Sequence, residues 1–413
     1  MLLLDAPTGC GKTSAILEWM QRNPDRRYLY ISPILSEVED RIPDALDGLE
    51  VEYPVEEYDP ITRVSSKSFS LLRLLRERKN ISFSHSLFTL LSEQHLRLIR
   101  DGRYTLVIDE EVNFIDAYRG RYTPGDITTL LRSGWIEVDE DNWGKVNWLY
   151  DGMEDDTQYT GLKAMCDVGQ LFCSKNNKEM LVTQLPMSLL SSAQEVVMIS
   201  YMFDKSVLHA FLKLRGVRFK DFLDVYPDAH LLHTEKEWKK KVRGLISIGE
   251  LPSTKRVKDE KLSLSYRWHS SSSTAEQRNI VARALRGVVE KHGAENVIYT
   301  MPKDAHSPEV DGRRNRRRVY SQWIKDSTFL HARARATNLY SDRDTAVHAY
   351  NRYANLQLVS YVSGYGGEVN HNDFAIAELV QWLWRTSIRN MEPVTFYFLS
   401  NRMERLFRKW LEE

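Results

Sequence analysis

The chain has 413 residues, 42% hydrophobic and 28% charged, and its 57 basic and 57 acidic side chains cancel at neutral pH. That length accommodates two or three domains with their own cores, and the composition is that of a globular protein rather than a fibrous or disordered one. No window approaches the roughly 18 continuous apolar residues of a membrane span, so no membrane partner is expected.

The opening Met-Leu-Leu-Leu-Asp lacks the basic region and the apolar length of a signal peptide. Three cysteines, Cys10, Cys166 and Cys173, show no zinc-ligand spacing and fit a reducing, cytoplasmic setting. Cys166 and Cys173 read as small buried hydrophobes. Oligomeric state is left open. Charge is uneven along the chain: residues 311–410 carry 16 Lys or Arg against 9 Asp or Glu. Such an excess suits either phosphate tracking or a solvated surface.

In chain order, residues 2–4 form a short apolar strand that runs into a glycine-bearing turn, and 14–21 read as a helix. Further strands are expected at 28–32, 105–108 and 196–200, the last leading into a helical stretch. Apolar strands alternating with helices predict an α/β fold, a parallel sheet covered on both faces. Residues 122–178 break the rhythm, being acidic and polar with scattered tryptophans, and are expected to be an insertion in a first lobe of residues 1–212. A second α/β lobe is expected over 213–413. Its strands are placed at 244–248, 262–266, 297–300 and 394–399, and its helices at 274–292, 346–353 and 373–387. Residues 304–318 read as a loop carrying Arg313, Arg314, Arg316, Arg317 and Arg318.

The strongest chemical signal is APTGCGKT, from Ala6 to Thr13. A glycine-rich turn between strand and helix presents backbone N–H groups at a helix N-terminus, where the dipole favours phosphate. The expected cradle runs through Thr8, Gly9, Cys10, Gly11, Lys12, Thr13 and Ser14. Lys12 is expected to reach the β- and γ-phosphates of ATP and the Thr13 hydroxyl to ligate Mg²⁺. Asp109 and Glu110 follow a strand about a hundred residues later. Carboxylates at the C-terminal end of a neighbouring parallel strand point into the same crevice. Asp109 is expected to hold Mg²⁺ and Glu110 to polarise the attacking water; the alternative is a solvated strand end. Glu111 reads as a bystander.

With these residues the chain resembles superfamily 2 helicases, whose phosphate loop takes the A-x-T-G-x-G-K-T form and whose DEAD/DEAH-like group carries patterns such as DEEV at 109–112. The segment YISPILSEVEDR (30–41) is similar to motif Ia, and ISFSHSLF (81–88) stands where motif Ib or Ic would. VVMISYMF (196–203) occupies the place of motif III, although Ser200 and Tyr201 depart from its usual pattern. Thr337 and Asn338 match motif V, beside Arg333 and Arg335. Gln381, Arg385 and Arg389 occupy motif VI; a continuous helix would place all three on one face. The resemblance implies that Gln381 reads the nucleotide and that Arg385 or Arg389 is the arginine finger. The second arginine follows Gln381 at eight positions rather than seven, so the choice stays open.

The second half is similar to helicases of bacteriophages and integrated mobile elements, through VIYTMPKD (297–304), the stretch 334–356, DFAIAELVQWLWRTSIRN (373–390) and FYFLSNRMERLFRKWL (396–411). Together these imply two RecA-like lobes around an ATP cleft, and an ATP-dependent helicase acting on single-stranded or forked DNA in the host cytoplasm. A translocase that does not unwind, or an ATP-switched nucleic-acid-binding protein, is the alternative. Trp238, preceding Lys239, Lys240 and Lys241, is a weaker nucleic-acid candidate.

Overall fold

The computed structural model describes residues 1–60, 63–152, 158–306, 309–310, 313–314, 320, 324, 327–332 and 339–413. Among them no helix is long and apolar enough to cross a membrane. The chain forms two compact units. The first comprises Met1–Ala6, Gly11–Leu231 and Ala354–Val369, and the second Pro7–Cys10, Leu232–Tyr353 and Asn370–Glu413.

The first unit is built on a seven-stranded, wholly parallel sheet. In spatial order its strands are Lys220–Asp221, Leu2–Asp5, Glu195–Ser200, Tyr104–Asp109, Arg27–Ser32, Asn80–Ser84 and Val51–Glu52. Every residue of Tyr104–Asp109 is buried. That is the signature of a central parallel strand covered on both faces, and it explains the unbroken apolar run in the sequence. On one face Ile16, Trp19 and Met20 of the helix Lys12–Arg22 pack against Leu4, Tyr28, Tyr30, Val107 and Ile199.

Within the same unit, the acidic stretch and the residues that flank it fold as a five-stranded antiparallel sheet. Its order is Ile115–Ala117, Leu181–Gln184, Leu171–Cys173, Lys145–Trp148 and Ile136–Asp139. Helices Pro124–Arg132 and Thr160–Asp167 help close a separate core of Ile127, Leu130, Val146, Leu162, Cys166 and Cys173. Both of those cysteines are buried, free thiols, as expected. The helix Leu356–Gly364, far along the chain, completes this unit. Gln357 donates to the Tyr122 hydroxyl and the Leu181 carbonyl, each at 3.2 Å, and Tyr361 donates to the Trp143 carbonyl at 2.9 Å.

The second unit holds a five-stranded parallel sheet in the order Ile246–Ile248, Val394–Phe398, Thr345–His348, Val297–Thr300, Thr328–Phe329. The helix Ala275–His292, capped by Thr274, packs Val281, Leu285 and Val288 into its core. Two expected elements differ. Residues 262–266 are not a strand, because Lys261 and Leu264 take left-handed φ of 50° and 51°; Leu264 drops into the core and Leu262 packs against it. Residues 346–353 are not a helix: Thr345–His348 is a fully buried strand. A short apolar run without a polar face suits a central parallel strand as well as a buried helix, so pattern alone could not separate them.

His348 ends that strand, buried edge-on against Trp382 at 5.7 Å. Burial pushes its imidazole down to about 3. Below the ordinary value the unfolded chain therefore takes up a proton that the folded chain refuses, and stability falls as pH drops from the mid-sixes. His348→Phe keeps the aromatic packing and should recover on the order of 1–2 kcal/mol at pH 5, with little change at pH 8. Urea midpoints at the two pH values measure this; an equal shift at both would exclude the protonation origin.

Candidate nucleotide site

The strand Leu2–Asp5 is paired on both sides, so the chain leaves it at a defined place on the C-terminal edge of the sheet. Ala6 N–H donates to the Ser200 carbonyl at 3.1 Å, continuing that pairing into the turn. Gly9 and Gly11 follow with φ of 88° and 83°. L side chains rarely adopt these values, so the glycines are what allow the chain to wrap here. Gly11 caps the helix Lys12–Arg22, whose first N–H groups have no partners within the helix. Thr13 and Ser14 lie in that first turn. The Lys12 ammonium donates back to the Ala6 carbonyl at 2.5 Å. The Cys10 side chain is wholly buried.

Two strands away in the same sheet, Asp109 ends the strand Tyr104–Asp109, with Ile199 as its register partner. Its carboxylate is buried and accepts the Tyr30 hydroxyl at 2.7 Å. Burial pushes the Asp109 carboxyl up to about 6, and the Tyr30 bond pulls the other way. The phenol itself is held well above its ordinary value by burial and by Asp109, so it stays a donor. His85 Nε2 lies 2.8 Å from the Asp109 backbone carbonyl. Glu110 has a left-handed φ of 60°, and its N–H donates to the Ile199 carbonyl at 3.0 Å. A non-glycine residue in this region is strained, a feature that clusters at functional positions.

Several contributors gave no clear signal in the sequence. Tyr30 lies inside the motif Ia-like segment but is a ligand of Asp109 rather than a surface residue. Asp5 accepts the N–H groups of Met202 at 2.7 Å and Phe203 at 3.0 Å, tying the end of the first strand to the motif III-like segment. Ser200 donates to Glu111 at 3.4 Å, which links Glu111 to that segment. The remainder of the motif Ia-like segment contains a π-helical turn, Glu37–Arg41, where Glu37 accepts from Ser32 and pairs with Arg41.

In the second unit the helix His371–Leu383 contains Gln381 but stops before the arginines. Arg385 N–H donates to Trp382 and Thr386 N–H to Leu383, both tight i to i−3 bonds. Arg385 is buried in that turn, and Arg389 lies in the 3₁₀ turn Ser387–Asn390. The one-face helical arrangement therefore does not hold: the extended Thr386 breaks the helix between Gln381 and Arg389. Trp238 is 1% exposed and Lys239 pairs with Glu235 at 3.3 Å, so the indole belongs to the interior. Arg313 and Arg314 lie in a short strand paired with Glu309–Val310. Arg316, Arg317, Arg318, Arg333, Arg335, Thr337 and Asn338 lie outside the described residues.

The donor set around the loop suits a polyphosphate with its divalent cation: helix-terminal N–H groups, one ammonium, a hydroxyl and a buried carboxylate.

Together these features define a helicase-like α/β fold with two parallel-sheet units. Solved structures with this architecture are XPD in its apo form, at a TM-score of 0.53 and 12% identity over 100% of this chain and 95% of that one, and Xpd4 of S. tokodaii, at 0.51 and 12% over 100% and 94%. Residues 240–411 match the model of the YonV C-terminal Rossmann-like domain, and residues 121–182 that of the YonV middle domain. In sequence the chain is 25% identical over 427 aligned residues to the SPbeta prophage-derived uncharacterized protein YonV of Bacillus subtilis (strain 168), covering 99% of this chain and 98% of that protein.

Tyr30→Phe removes the donor from a buried carboxylate. A hydrogen bond to a charged group is worth about 1.5–3 kcal/mol, so the variant should lose on this order above pH 6, where Asp109 is ionised. The loss should shrink below pH 5, where the carboxyl is protonated. Urea denaturation across pH 4.5–8 gives the readout, and a pH-independent loss would contradict the assignment.

Proposed function

We propose that the protein is an ATP-driven nucleic-acid motor, a helicase that moves along one strand, with DNA the favoured substrate. The observation that carries this reading is the glycine-rich loop with Lys12 at the same sheet edge as the buried Asp109 and the strained Glu110.

In this reading the backbone from Thr8 to Ser14 binds the phosphates of ATP, and Lys12 places its charge on the β- and γ-phosphates. Thr13 and Asp109 are the residues that would hold Mg²⁺, which neutralises charge on the phosphate oxygens. Glu110 takes the proton of the attacking water. Gln381, Arg385 and Arg389 are assigned through their likeness to motif VI: Gln381 to the nucleotide, and one arginine to the charge that develops on the γ-phosphate. Nucleic acid is held mainly through its backbone.

A second reading is a nucleic-acid-binding protein switched by ATP without movement. Ser200 and Tyr201 favour it, since they replace the usual motif III residues and Tyr201 is buried.

Hydrolysis measured with single-stranded DNA, duplex DNA and RNA, together with strand displacement on forked DNA, separates these readings. DNA-stimulated turnover with unwinding supports the helicase; binding without turnover supports the switch. Lys12→Ala should abolish hydrolysis, and Glu110→Gln should bind ATP while hydrolysing it poorly. Wild-type turnover in folded Lys12→Ala protein would remove the proposal.

The finger is distinguished by kinetics. Replacing it with Ala should lower turnover by roughly a thousandfold while ATP affinity changes little. We favour Arg389; Arg385, buried in its turn, should mainly affect nucleotide affinity or folding. If both variants keep turnover within a few-fold of wild type, this segment has no part in catalysis.

A further inference from the structure

A loop can present its N–H groups to an anion only if its carbonyls face the other way. In a trans peptide the C=O and N–H point to opposite sides. A donor that holds a carbonyl outward therefore also aims the N–H of the following residue.

Two such donors reach the loop within the second compact unit, which includes Pro7–Cys10. The Trp238 indole N–H donates to the Thr8 carbonyl at 3.1 Å. The Leu232 backbone N–H donates to the Cys10 carbonyl at 3.0 Å. They fix alternate peptides of the loop, Thr8–Gly9 and Cys10–Gly11. The N–H groups so aimed are those of Gly9 and Gly11, the two residues with left-handed φ. The peptide between is turned by a bond from Cys10 N–H to the Pro7 carbonyl at 3.3 Å.

Trp238 is itself immobilised. It sits in the helix Glu235–Arg243, whose N-terminus is closed by a reciprocal Thr234–Glu237 capping box. Its ring lies against Trp384 at 4.5 Å and meets Trp410 edge-on at 6.2 Å. The Trp410 indole N–H, also buried, has no hydrogen-bond partner among the described residues. Neighbouring indoles thus share one packing role, while Trp238 adds a bond to the loop.

Glycines lose the most conformational freedom on ordering, so a free glycine-rich loop would have to be ordered when its ligand binds. Struts already present in the fold remove that cost in advance. We propose that Trp238 is a positioning residue for the phosphate loop, holding the Gly9 N–H toward the phosphate chain of a nucleoside triphosphate, with the Leu232 N–H doing the same for Gly11. This rests on the nucleotide reading above. Trp384 immediately precedes Arg385, so the aromatic stack that seats Trp238 is continuous with the motif VI-like turn.

Trp238→Phe keeps an aromatic ring against Trp384 and deletes the donor. Dissociation constants for MgATP and for inorganic tripolyphosphate, measured by calorimetry on the full chain, should rise together by about three- to tenfold, the range of one net hydrogen bond. The maximal hydrolysis rate should change less than KM. Trp410→Phe, which removes an indole N–H that bonds nothing among the described residues, should leave both affinities unchanged. Leu232→Pro deletes the other donor at a side chain that is exposed, and should reproduce the joint rise if Trp238→Phe folds poorly. Unchanged affinity in a folded Trp238→Phe protein, or equal weakening in Trp410→Phe, would overturn the strut. Wild-type protein that binds neither ligand would instead overturn the nucleotide reading on which it stands.

Discussion

The parallel pairing of Leu2–Asp5 with Glu195–Ser200, and of that strand with Tyr104–Asp109, is the constraint on which the first unit depends. Register sets Asp5 opposite Ser200 and Ile199 opposite Asp109. Parallel strands end on the same side, so the loop after Asp5, the acids at 109–111 and the segment 200–203 all emerge at one edge. Short bonds then join them: Ala6 to Ser200, Glu110 to Ile199, and Asp5 to Met202 and Phe203. A slip of any strand would separate the carboxylates from the loop before any side chain changed.

Burial gives this edge its electrostatic character. Asp109 is raised to about 6 because its carboxylate sits away from water, and the Tyr30 hydroxyl offsets only part of that cost. A carboxylate held so is poorly solvated and well suited to receive a cation, which reverses the penalty. The strained backbone at Glu110 belongs to the same setting, since the parallel sheet anchors the residue through its N–H while φ stays left-handed.

The acidic stretch is a small antiparallel domain with its own core, inserted between two parallel strands that remain neighbours in the sheet. It is held also by the distant helix Leu356–Gly364, through Gln357, Ser360 and Tyr361. Residues 354–369 thus belong with a unit whose other segments end more than a hundred residues earlier.

Much of this is legible in the amino-acid sequence. The strands at 28–32, 105–108 and 196–200, the glycine turn and its helix, and the α/β class all follow from local pattern, because buried parallel strands must be apolar throughout and tight turns need glycine. Chain-distant partnerships were not legible. Nothing local marks Tyr30 as the ligand of Asp109, or Trp238 as a donor to Thr8, because each bond joins residues 79 or 230 positions apart. The pattern of 346–353 suits a helix yet the stretch is partly strand, and the helix through Gln381 ends before Arg385, because neighbours in space decide how a short apolar run is covered and where a helix yields to a turn. Sequence by itself determined which residues have the chemistry of a phosphate loop and which strands must be buried, since those follow from side-chain chemistry and spacing. Only the tertiary structure decided how they are aimed, because direction comes from hydrogen bonds and packing that the chain makes with its own remote segments.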